Sequence, residues 1–202
     1  MPTHQIPTLP VVVPLGLLMF AAMLWLLHRR GAVTALRVLV AAVVCVYGVG
    51  VVANTILPIY TGRVDDYGQS WTVYLNLAPL GDYELADALT NVVVFLPLGV
   101  LLPIVARVDS ALRVLVCGFV LSLTMEAVQL ANSVTGHGGH VADINDLLAN
   151  TLGAPLGYAV LRAAMLLPPV ARLVAATTWP AGRRGSGSRR VERLTERAHD
   201  RQ

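Results

Sequence analysis

The chain is poor in charge and has no lysine at all. Of its 202 residues only 13% are charged, and every one of the 15 basic residues is arginine. Soluble domains carry about 25% charged residues, so a conventional soluble surface is excluded. The missing lysine reads as a compositional habit, not a function. Only two cysteines occur, Cys45 and Cys117, each inside an apolar run. That gives no support to a disulfide framework and marks both as buried thiols. The net charge of +3 does not point to nucleic acid, because the arginines sit at the ends of apolar runs and in the C-terminal stretch. No internal repeat is visible, which leaves an inverted-repeat transporter with little support.

Hydrophobicity is what the chain has in abundance, at 55% of residues with a mean hydropathy of +0.65. The runs 9–27, 32–57, 88–106, 112–134 and 146–167 reach or approach the roughly 20 apolar residues that a hydrocarbon core requires. The expected fold class is all-α: a polytopic membrane helical bundle of about five transmembrane helices. Pro97 and Pro103 within the third run predict a kink or freed carbonyls. The first run ends in His28-Arg29-Arg30 without a small-residue cleavage site, so a retained anchor is expected rather than a signal peptide.

Arg29, Arg30, Arg37, Arg107, Arg113, Arg162 and Arg172 flank one set of run ends, and only Arg63 falls on the other side. By the positive-inside rule the N-terminus is outside and the C-terminus cytoplasmic. Residues 58–90 and 135–145 are then external. The first of these segments carries Asp65, Asp66, Asp82, Glu84 and Asp87, with Trp71, Tyr74 and Tyr83 as anchors at headgroup level. From Trp179 onward the chain reads as a separate, flexible, Arg-rich region attracted to anionic lipid.

Polar groups inside the apolar runs are costly, so they are candidates for function. Ser122, Glu126 and Gln129 share one helix face. Glu126 lies about 12 Å from the outer end of its run and is expected to point into the bundle, either as interhelical glue or as part of a site. Asp143 suits an N-cap and Asp146 a first helical turn. Capping accounts poorly for Asn150, one turn deeper. Gly153 and Gly157 have the spacing that lets another helix approach closely. Asn91 enters from the same external face. Asn91, Glu126, Gln129, Asp143, Asp146 and Asn150 are therefore the candidates, expected to converge in the outer half of the membrane.

His137, His140, Asp143 and Asp146 recur every third residue, and mixed His/carboxylate sets do bind zinc. Here they fall in a stretch with Gly136, Gly138 and Gly139 and without a paired-His helix, so no metal and no cofactor is expected. Ser122 as a hydrolase nucleophile lacks a nucleophile elbow.

At these residues the sequence resembles the VanZ-like family of bacterial membrane proteins. The match lies in YLNLAPL (Tyr74 to Leu80), TNVVVFLPLGVLLP (Thr90 to Pro103), LSLTMEAVQL (Leu121 to Leu130) and DINDLLANTLGAPLGY (Asp143 to Tyr158). The resemblance divides the chain into an anchor helix (1–31), a second helix with an external loop (32–73), a VanZ-like core (74–167) and an Arg-rich cytoplasmic tail (168–202). It also carries over Asn76, Pro79, Phe95, Pro97, Gly99 and Gly153 as motif positions. It implies a multi-pass protein of the cell membrane, of the cell envelope of Gram-positive type, and an antibiotic-resistance role toward teicoplanin. The implied partners are the lipid bilayer and a lipoglycopeptide, a lipid-linked envelope precursor or an envelope enzyme. No nucleic acid is expected. An alternative is an intramembrane acid/base enzyme acting on a lipid-linked envelope precursor, with Glu126 and Asp143 or Asp146 as acid and base. The resemblance assigns no catalytic residue.

Overall fold

The computed structural model describes residues 4–55, 57, 60–61, 70–79, 84–137 and 140–180. Arg63, Asp65, Asp66, Asp82, Tyr83, Gly138, Gly139 and the basic stretch beyond residue 180 lie outside these residues. The described chain is all-α apart from two short strand pairs. Helices α1 (Thr8–Arg29), α2 (Ala35–Thr55), α3 (Leu85–Val105), α4 (Ala111–Val134), α5 (Ile144–Ala164) and α6 (Pro168–Thr177) follow in order. Strand β1 (His4–Gln5) pairs antiparallel with β2 (Tyr60–Thr61), and β3 (Leu75–Asn76) pairs parallel with β4 (Ala142–Asp143).

Helices α1 to α4 are long and apolar enough to cross a membrane. The fifth expected span, α5, has the length, at 21 residues, but is less apolar than these four. The reason is its position. Asn145, Leu147, Ala149, Asn150, Gly153, Ala154, Gly157, Tyr158 and Leu161 are all buried, because α5 packs against both α3 and α4. A helix enclosed by others can carry amides and glycines that a lipid-facing helix cannot.

Local chemistry sets the ends of the helices. Gly31 and Gly136 have φ of 61° and 76°. Each follows a helix whose last carbonyls are closed by paired bonds: Ala32 N to Leu27 O and Gly31 N to His28 O, then His137 N to Asn132 O and Gly136 N to Ser133 O. This is a Schellman ending, for which glycine carries no Cβ penalty. Helix α3 continues through both Pro97 and Pro103.

Backbone contact joins α3 to α5. A Cβ at Gly99 would meet the Ala154 carbonyl, one at Gly153 the Val92 carbonyl, and one at Gly157 the Leu96 carbonyl. The close approach expected for Gly153 and Gly157 is therefore present, and Gly99 supplies the reciprocal surface. Helices α3 and α5 run parallel, and α4 runs opposite to both.

Helices α1 and α2 form a hairpin beside this core. The Tyr47 hydroxyl donates to Val94 O at 3.0 Å. At the other end Trp179, only 2% exposed, packs with Leu27, Ala32 and Ala41. Its backbone N–H donates to Ile104 O at 2.8 Å. Arg30 and Arg37 donate to Pro180 O and Thr178 O, each at 3.1 Å. Residues 168–180, grouped with the tail on sequence, thus form a helix and a docked aromatic that tie the hairpin to the core.

Candidate functional site

Three helices and one short strand pair bring the polar residues to the end of the bundle where α3 and α5 begin and α4 finishes. The residues fall in layers one helical turn apart. In the first layer the Asn91 amide donates to Asp146 Oδ1 at 2.6 Å, joining α3 to α5. Glu126 Oε2 accepts the Asp143 backbone N–H at 2.8 Å, joining α4 to the start of α5. The second layer holds Phe95, Ser122 and Asn150, which are 0%, 0% and 3% exposed. The third holds Gly99, Gly118 and Ala154; a Cβ on Gly118 would come within 2.8 Å of the Ala154 Cβ.

The strand pair completes the mouth. The register Asn76 to Asp143 lets the Asn76 amide donate to Asp143 Oδ2 at 2.8 Å. Asp143 Oδ1 accepts from Asn145 N at 2.7 Å as the N-cap of α5 and from the Asn145 amide at 2.9 Å. The same amide reaches Ala78 O at 3.1 Å. The Ser133 hydroxyl donates to His140 O at the turn between α4 and β4. Each carboxylate thus accepts from neutral N–H groups, and such charge-assisted bonds are strong where water is scarce.

Asn91, Glu126, Asp143 and Asp146 are brought together at this end, with Asn150 one turn below. Gln129 is partly buried, and its side chain makes no hydrogen bond to another described residue. Glu126 partners the backbone N–H of Asp143. His137 is exposed, and among the described residues no group of three or more His, Cys, Asp and Glu side chains is arranged to hold a metal ion. Asn145, 3% exposed, was missed as a site residue. Its spacing two residues after an N-cap aspartate was the available signal. Asn76 was visible only as a motif position.

A family model described as VanZ/LLP1 matches residues 44–167. The chain belongs to the VanZ/LLP1 family. The matched region starts within α2, ends at the residue before α6, and includes every residue of the polar layers. No curated protein and no solved structure matches the chain. Family membership and the four long apolar helices make it a VanZ-like multi-pass membrane protein.

Proposed function

We propose that this VanZ-like protein acts in the bacterial cell envelope and raises tolerance to lipoglycopeptides such as teicoplanin. The polar end of the bundle would engage the drug, its lipid-linked target or an envelope enzyme. The observation that carries this reading is the gathering of Asn76, Asn91, Glu126, Asp143 and Asp146 at one end of an otherwise apolar bundle. The arginines of the helix ends lie mostly at the opposite end, which supports placing the polar end outside. Teicoplanin carries an acyl chain and vancomycin does not. Each buried methylene adds about 0.8 kcal/mol of membrane affinity, which concentrates the drug at the outer leaflet.

Binding is favoured over acid/base catalysis by the state of the carboxylates. Asp143 caps a helix and holds Asn76, Asp146 holds Asn91, and Glu126 holds a backbone N–H. These are positioning bonds that a shuttling acid or base would have to break.

The test is expression in a susceptible Gram-positive host. Teicoplanin tolerance should rise more than vancomycin tolerance, and Asp146→Ala should reduce the effect while the protein stays in the membrane. Equal shifts for the two drugs, or none at confirmed membrane expression, would refute the proposal.

A further inference from the structure

Two buried polar atoms lie beneath the mouth without a hydrogen-bond partner among the described residues: Ser122 Oγ and Asn150 Oδ1. The packing register places them opposite each other. Gly118 on α4 lies against Ala154 on α5, and the two helices run in opposite directions. One turn along each toward the mouth, Ser122 faces Asn150; one turn further, Glu126 faces Asp146. On α3, Asn91 bonds Asp146 and Gly99 abuts Ala154, so Phe95 falls in the Asn150 layer.

A buried carbonyl oxygen or hydroxyl left unpaired is costly, and native structures satisfy nearly all such groups. These two have complementary demands. The Asn150 carbonyl oxygen can only accept, and the Ser122 hydroxyl can donate. Below them the Gly99, Gly118 and Ala154 layer is closed by backbone contact, and Phe95 is apolar. What fits is small, both accepts and donates, and enters from the Glu126 side.

We propose that Ser122 and Asn150 form a buried subsite for one water molecule, the floor of the polar end of the bundle. The water accepts from the Ser122 hydroxyl, donates to Asn150 Oδ1, and directs its second O–H toward the Glu126 layer. This gives it the two or more polar partners that ordered internal water requires. The subsite carries the polar character of the mouth one turn deeper and stops there, so the arrangement is a blind recess, not a channel. It stands independently of teicoplanin tolerance, since its test needs no drug.

Met125 provides the reporter. It is on α4 between Ser122 and Glu126 and only 6% exposed. Radiolytic hydroxyl-radical footprinting of the full chain in lipid nanodiscs generates radicals from bound water. Met125 should be oxidised several-fold faster than Met23, which is less buried but sits in the apolar α1–α2 hairpin. Ser122→Ala combined with Asn150→Leu should abolish the excess. Should that pair fail to fold, Ser122→Ala alone must lower the Met125 rate. Met125 as protected as Met23 in the unaltered protein, or an oxidation rate indifferent to these substitutions, overturns the subsite.

Discussion

Glu126, eight residues before the end of an apolar helix, accepts the backbone N–H of Asp143 at 2.8 Å. The bond joins α4 to the residue that caps α5, across a turn closed by Gly136. An acidic residue at this depth is thus accounted for by a backbone donor that would otherwise be left unpaired in a poorly hydrated place.

Removing that acceptor should be felt as loss of stability. Glu126→Ala orphans the Asp143 N–H at a cost of about 1–3 kcal/mol, read as a lower melting temperature in detergent. Glu126→Gln keeps an oxygen acceptor and should recover most of the loss. If Glu126→Ala melts with the unaltered protein, the bond carries no weight.

The Asn91–Asp146 bond links the second turn of α3 to the first turn of the parallel helix α5. A double-mutant cycle with Asn91→Ala and Asp146→Ala should return a favourable coupling of about 0.6 kcal/mol, and at most about 1.7 kcal/mol, the range for interhelical hydrogen bonds in membranes. Strict additivity of the two single losses would show that the pair does not interact.

Gly157 and Gly50 should respond in opposite ways to alanine. At Gly157 the new Cβ runs into the Leu96 carbonyl, whereas at Gly50 it meets nothing within 4 Å. Gly157→Ala must push α3 and α5 apart and should cost about 1–3 kcal/mol. Gly50→Ala, inside α2, should be neutral or stabilising by up to about 1 kcal/mol. Melting curves of the two purified variants decide it, and equal behaviour would argue against the close α3–α5 contact.

The orientation read from the arginines is checked by labelling. In a background of Cys45→Ala and Cys117→Ala, single cysteines at Ser70 and Ser186 should differ in intact cells. A membrane-impermeant maleimide should reach the first and not the second. Labelling of Ser186 from outside with Ser70 protected would place the polar end on the cytoplasmic side, opposite to the one proposed.

Much of this was legible in the sequence because it is local. The five long helices lie close to their apolar runs, since periodicity and the ends set by Gly31 and Gly136 act within a few residues. The family was legible in four short motifs, and the polar candidates stood out because amides and carboxylates are scarce in apolar runs. An expectation for orientation also comes from the sequence, because arginine placement is a property of the linear chain.

What only the tertiary structure decided is which groups meet. Asn76 reaches Asp143 through a parallel pairing of two-residue strands far apart in sequence, a register too short to leave any pattern. Glu126 finds a backbone N–H rather than a side chain, and backbone donors look alike in every sequence. The glycines of α5 announced a close approach, but only packing named α3 as the partner and enclosed α5 so that it tolerates its polar residues. Trp179, apparently the start of a free tail, is buried because Arg30, Arg37 and Ile104 offer it a docking place from elements more than 70 residues away. Side-chain chemistry is written residue by residue; the distances between residues exist only once the helices have packed.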